Sequence, residues 1–369
     1  MTRTANHSTR PSHAPGLNVF ETAGPGMQHE FEAFVGRVRG QVEGRLRPFL
    51  DDRVASAERL GPDVAAVADS IRQLTLRGGK RTRAILLAAT FEACGDVDSA
   101  AVVPAGVALE LLQSYLLAHD DWMDGDDVRR GGPSVPALMR SRFGARGVDA
   151  MSVLAGDLAA AWARQALLEV PLTPSRVVAA ARELARVEEA VVSGQVLDVC
   201  ATACNSADVE RVHALKTASY SVRGPVVMGA LLAGAAESQV AALVAFSEPL
   251  GVAFQLRDDL LGVFGDPIVT GKPTGSDLRS GKQSAVVVDC ARQGRSEVLD
   301  RVIGHADATD DDVRAAVAIL EASGARARVE RRIDVLVQDS RGALNEAILN
   351  PRGRALLSRA VDVLTQRQS

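Results

Sequence analysis

Residues 111–124 read Leu111-Leu112-Gln113-Ser114-Tyr115-Leu116-Leu117-Ala118-His119-Asp120-Asp121-Trp122-Met123-Asp124. Apolar residues fill two turns ahead of the acidic end. On a helix, Asp120 and Asp124 stand at i and i+4 and so share one face. Like charges placed this way repel unless a cation sits between them. A second stretch has the same design, with Phe254-Gln255-Leu256-Arg257-Asp258-Asp259 continuing through Leu260, Leu261, Gly262, Val263, Phe264 and Gly265 to Asp266. Outward from both, apolar residues recur at three- and four-residue spacing from Met27 onward, without an alternating strand pattern.

Composition agrees with helices. Aromatic residues make up only 4% of the chain while hydrophobic residues reach 47%, and unbranched or small side chains lose little freedom on a helix. Turn signals fall at Arg77-Gly78-Gly79, Gly95-Asp96, Arg130-Gly131-Gly132-Pro133, Pro171 to Pro174, Gly224-Pro225 and Gly265-Asp266-Pro267, as expected of helix ends. The short gaps suit antiparallel neighbours in a bundle. The expected fold is all-α, a single-domain antiparallel helix bundle over residues 27–369. Residues 1–26 mix Ser, Thr, Pro, His and Gly and are expected to form a disordered tail. The Gly265–Gly281 segment is long and polar, as functional loops are.

A net charge of −4 gives no global basic field, which argues against nucleic acid as a partner. Cys94, Cys200, Cys204 and Cys290 lack the paired spacing of a zinc site. The sequence offers no signal-peptide core and no run of about 18 consecutive apolar residues, so no membrane span is expected and the cytoplasm is the expected location.

A single Asp-Asp-x-x-Asp is more often a solvated helix end than a site. Two such clusters, each closing an apolar helix, favour hard oxygen ligation of Mg²⁺, which binds one or two carboxylates, waters and phosphate oxygens. Basic residues supply the anion's other contacts. Gly78-Gly79-Lys80-Arg81-Thr82-Arg83 opens a helix, where free N–H groups and cations suit a diphosphate. Arg129 and Arg130 follow the first cluster, and Lys272 and Lys282 flank the polar loop.

Together these segments, in this order, resemble the trans-type (E) isoprenyl diphosphate synthases of the polyprenyl synthetase family. The resemblance implies that Asp120 and Asp124 bind Mg²⁺ on an allylic diphosphate with Asp121 in support, and that Asp258 ligates a further Mg²⁺ with Asp259 beside it. It implies three Mg²⁺ ions bridged by substrate diphosphate. Lys80, Arg83, Gln113 and Arg130 match positions that hold isopentenyl diphosphate, and Arg129, Lys216, Lys272 and Lys282 match those that grip the allylic diphosphate. Lys216, Thr217, Tyr220 and Gln255 match residues near the developing carbocation, where leaving-group stabilisation and exclusion of water are needed. Two positions depart from the pattern: Gly262 stands where many members carry a third Asp, and Pro136 where a His often occurs.

In this family a bulky residue five positions before the first motif implies a short product, and Tyr115 stands there. Along a helix it lies roughly 7.5 Å below Asp120 and about 140° around the wheel. With no insertion in the first motif, the expected product is geranylgeranyl diphosphate, with farnesyl diphosphate next. A class I terpene cyclase and a catalytically silent synthase subunit are the competing readings. The resemblance also implies a homodimer.

Overall fold

Proline and glycine set most helix boundaries of this computed structural model, which describes residues 25–95, 98–200, 206–266, 273–294 and 296–366. In order, the helices are α1 (Pro25–Glu58), α2 (Pro62–Leu76), α3 (Thr82–Cys94), α4 (Val103–Asp124), α5 (Val135–Leu168), α6 (Pro174–Val199) and α7 (Ser206–His213). A π-helical segment, Ala214–Arg223, leads into α8 (Gly224–Ala233) and α9 (Glu237–Phe264). Then come α10 (Ser276–Arg279), α11 (Ala285–Ala291), α12 (Glu297–Asp300), α13 (Asp310–Ala322), α14 (Ala325–Glu346) and α15 (Pro351–Thr365). Pro62, Pro104, Pro136, Pro174, Pro225 and Pro351 all stand in first turns, where a missing N–H costs nothing. The expected all-α class holds. Most of the proposed tail lies outside the described residues.

One element differs from the helical expectation. Val128–Arg129 and Gly132–Pro133 form a two-residue antiparallel ladder with Val128 opposite Pro133. Its central residues, Arg130 (φ 53°) and Gly131 (φ 70°), are both left-handed, the turn that matches the twist of a hairpin. Two residues per strand are too few to display an alternating pattern.

Side chains are buried in two apolar clusters. The larger gathers Leu46, Leu50, Ile71, Leu86, Phe91, Leu109, Leu111, Leu112 and Phe246 from the N-terminal helices and the start of α9. The second surrounds the end of α9, where Leu256, Leu260 and Val263 meet Leu278, Val286, Val302, Leu320 and Ile333. Thus α9 spans both cores, and the second acidic pair sits within its second half. Two segments, Ser99–Asp124 and Glu237–Phe264, are long and apolar enough to cross a membrane by length and composition. The expectation of no such run did not anticipate this, because it counted strictly consecutive apolar residues. In the structure both segments supply core side chains to the bundle.

The far end is tied by Glu92. Its side chain, 6% exposed, accepts hydrogen bonds from Arg37 (2.8 Å), Ser99 (2.6 Å) and Arg352, linking α3 to α1 and α15. Burial alone would raise the Glu92 pKa, but Ser99 and the two guanidinium groups outweigh it and hold the carboxyl below its ordinary value. Its contribution to stability is therefore present above the usual Glu range of about 4.3 and is lost as pH falls through the lower folded-state pKa. Glu92→Gln is expected to be less stable at neutral pH yet to lose less melting temperature on acidification than the parent. Circular-dichroism melts across an acid series check this, and an unchanged acid slope would contradict it.

Candidate active site

The site begins where α4 runs out of apolar residues. Gly125 (φ 72°) ends the helix, leaving Asp120 partly exposed at 29%, Asp124 exposed and Asp121 fully buried. Arg129, placed by the hairpin, donates to Asp121 Oδ1 (Nε, 2.6 Å) and to Asp126 (2.8 Å). The other Asp121 oxygen, Oδ2, is buried with no protein partner. Desolvation pushes the Asp121 carboxyl up to about 6 against the pull of Arg129. Asp124 is raised by loss of water and by the neighbouring Asp120. This end of α4 therefore holds more negative charge than its own cations neutralise.

The hairpin also fixes Arg130, which donates to the carbonyls of Leu74 (3.3 Å) and Gly78 (2.9 Å). Arg77 pins the hairpin from α2 through the carbonyls of Arg129 and Pro133. In the Gly78–Arg83 segment, Arg81 is left-handed (φ 53°) and turns inward to Glu110 at 2.7 Å, both side chains 2% exposed. Removing one partner of such a pair typically costs about 3–5 kcal/mol, because the other is left buried and alone. Arg81 is thus an anchor, and Lys80 is left at the exposed surface. Arg83 reaches across to Ser221 (2.7 Å), with its guanidinium 4.3 Å from the Tyr220 ring centroid. Gln113 is half-buried on α4.

The π-helical segment is the hub, as such bulges often are at functional sites. Lys216 lies 3.4 Å from Asp120 and 2.6 Å from Asp198 of α6. Burial would lower its pKa, but Asp120 and Asp198 outweigh this and hold the ammonium above its ordinary value. Close approach of the backbones makes the geometry possible. A Cβ at Gly194 would sit 2.4 Å from the Lys216 backbone nitrogen, and one at Gly251 would meet the Ala218 Cβ at 2.5 Å. Thr217 is half-buried on the same segment.

One turn earlier, His213 directs its Nε2 to Asp259 Oδ2 at 3.3 Å. Asp259 also accepts from the Ala285 N–H (2.9 Å), Lys282 (3.1 Å) and Gln255 (3.3 Å). Burial would raise the Asp259 carboxyl, but Lys282 and His213 outweigh it and hold it well below the usual carboxylate range. Expected beside Asp258 at the metal, Asp259 instead faces inward and orders three elements, because four donors converge on it there. Asp258 remains half-buried. His213 and Lys216, three residues apart, thus reach the second and the first acidic pair respectively.

The sequence profile of the polyprenyl synthetase family matches residues 64–320. The chain belongs to the polyprenyl synthetase family. It is 36% identical over 314 residues to the (2E,6E)-farnesyl diphosphate synthase of Mycobacterium tuberculosis, spanning 82% of this chain and 80% of that one. It is also 36% identical over 284 residues to the geranylgeranyl diphosphate synthase of the same organism, spanning 74% and 77%. A crystal structure of geranylgeranyl pyrophosphate synthase from Corynebacterium glutamicum, complexed with isoprenyl diphosphate and magnesium, superposes with a TM-score of 0.82 at 31% identity, covering 88% of this chain and 97% of that one. These similarities place the synthetase among the trans-type short-chain prenyltransferases, a Mg²⁺-dependent family.

The donor set of this synthetase fits Mg²⁺. It consists of carboxylate oxygens, with an orphaned buried oxygen on Asp121, and among the described residues no group of three or more ligating side chains forms a cage by itself. Lys272 lies outside the described residues. Lys282 is 42% exposed and pairs with Asp259 and Asp277. Pro136 is accounted for locally: it stands in the first turn of α5, behind the N-cap Ser134, which accepts from the Ala137 N–H. Sequence reading missed Arg77, Asp198, His213, Ser221 and Asp277, which carry no motif of their own and join the site only through tertiary contact.

Proposed function

We propose that this protein condenses isopentenyl diphosphate with an allylic diphosphate to give a short-chain all-trans product, chiefly geranylgeranyl diphosphate. The observation that carries the reading is the pairing of one turn, His213 to Lys216, with both acidic pairs, beside a separate cationic wall of Lys80, Arg83 and Arg130. In this reading Asp120, Asp124 and Asp258 hold three Mg²⁺ ions, which when bound supply positive charge to the leaving diphosphate. Lys216, Arg129, Lys272 and Lys282 add cationic donors to the same oxygens. Lys80, Arg83, Gln113 and Arg130 orient isopentenyl diphosphate so that its double bond faces the ionising carbon. Thr217, Tyr220 and Gln255 place polar oxygens near the cation, and the packed helices exclude water from it. The proton lost from the condensed product passes to the released diphosphate.

Product length rests on Tyr115. Half-buried among α4, α5 and α6, its ring packs edge-on against His119 at 4.9 Å and 75°, and burial together with Glu188 and Asp157 raises its phenol pKa. A bulky ring there supports a floor beneath the first acidic pair. The relatives divide between farnesyl and geranylgeranyl synthases, so the floor must be read by experiment. With labelled isopentenyl diphosphate, Mg²⁺ and dimethylallyl, geranyl or farnesyl diphosphate, chromatography of the dephosphorylated alcohols is expected to give mainly C20. Tyr115→Ala is expected to lengthen the product. Mainly C15 from the parent would contradict the product length read from Tyr115, and no incorporation with any starter would contradict the function.

The same reading places the enzyme in the cytoplasm as a homodimer. On α6, Val192, Val196 and Val199 are 51%, 57% and 68% exposed at helical spacing, with Val178 on the same helix and Leu154 and Leu168 on α5 also exposed. Such an apolar stripe suits a second copy of the chain. Light scattering is expected to give the mass of two chains, and a monomer at micromolar concentration would contradict the dimer.

A further inference from the structure

The hairpin that carries Arg129 and Arg130 has only two residues in each strand, and a hairpin that short does not hold itself in water. It is held from α2. Arg77, the residue that closes α2, donates from one nitrogen, Nη1, to the carbonyl of Arg129 (3.2 Å) on the first strand and of Pro133 (2.5 Å) on the second. The guanidinium lies against the hairpin backbone, where a Cβ at Gly132 would fall 2.9 Å from its Cζ and Nε. Its other terminal nitrogen, Nη2, is buried without a protein partner, so the side chain gives up hydration to stay there.

The clasp is reciprocal. Arg130 reaches back from the hairpin to the carbonyls of Leu74 (3.3 Å) and Gly78 (2.9 Å), and the Leu74 carbonyl is one of those a helix leaves open at its C-terminus. Each segment thus supplies one guanidinium to the carbonyls of the other. The side chain of Arg129 goes elsewhere, to Asp121 and Asp126, while its carbonyl stays in the clasp.

We propose that Arg77 is a positioning residue for both substrates, setting Arg129 for the allylic diphosphate and Arg130 for isopentenyl diphosphate through the hairpin backbone that the two share. Gly132 belongs to the same device, because its missing Cβ is what admits the guanidinium. The inference rests on the prenyltransferase reading above, which gives those two arginines their ligands.

The test is steady-state kinetics of the full-length protein at saturating Mg²⁺, varying isopentenyl diphosphate and geranyl diphosphate in turn, with circular-dichroism melts of every variant. No incorporation by the parent would sink the functional reading itself, and this inference with it. Given an active parent, Arg77→Met is expected to raise the KM for both substrates together, each roughly 10-fold, within the range that displacing a binding group by about 1 Å can cost. Gly132→Ala, whose methyl must push the guanidinium off the hairpin, is expected to act in the same direction. Arg77→Lys, which keeps donors for the two carbonyls, is expected to recover part of the loss. Arg130→Met, the single-site reference, is expected to raise the KM for isopentenyl diphosphate alone. A folded Arg77→Met variant with both KM values unchanged, whatever its melting temperature, or with a rise confined to one substrate, would overturn the proposal and leave Arg77 a strut.

Discussion

A buried carboxylate without partners is among the most expensive things a fold can contain, and Asp259 is fully buried. Its donors come from four places in the chain: His213 before the π-helical segment, Gln255 on its own helix, Lys282 after the polar loop and the Ala285 N–H opening α11. Each donor satisfies part of the one carboxylate, and three of them tie another segment of the chain to α9. His213, the residue just before the π-helical segment, is tied to Asp259, and three residues later Lys216 lies 3.4 Å from Asp120. The same constraint positions Asp258, one residue away, at the edge of this network.

Charge is distributed in a consistent way from that centre. The end of α4 carries three acids and one close guanidinium, that of Arg129, while the Gly78–Arg83 segment turns Arg81 inward and leaves Lys80 outside. The acidic and basic walls are thus separate surfaces joined by one segment, which Arg83 contacts through Tyr220 and Ser221. A surplus of carboxylate on one wall suits cations that arrive with a ligand. A surplus of basic groups on the other suits an anion that needs none.

The helices and both acidic pairs were legible because apolar periodicity and local spacing report on one element at a time. Asp120 and Asp124 could be placed on one face from the number 3.6 alone. Asp259 could not be separated from Asp258 in that way, since adjacency in sequence says nothing of which carboxylate faces inward. Gly262 reads in the sequence only as a departure from the pattern, because spacing cannot see that Asp277, fifteen positions later, fills the space beside it. The hairpin of Arg129 and Arg130 was too short to show a pattern, although Gly131-Gly132 marked a turn. Gly194 and Gly251 carry no signal in the sequence, and only the close backbones beside them show why no side chain fits.

The most direct measurement of the central claim, that two unlike walls bind two diphosphates, is calorimetric titration of each substrate alone with and without Mg²⁺. Isopentenyl diphosphate should bind the basic wall with little dependence on Mg²⁺, and an unreactive allylic analogue should bind only when Mg²⁺ is present. A single diphosphate site, or equal Mg²⁺ dependence for both ligands, would contradict the account.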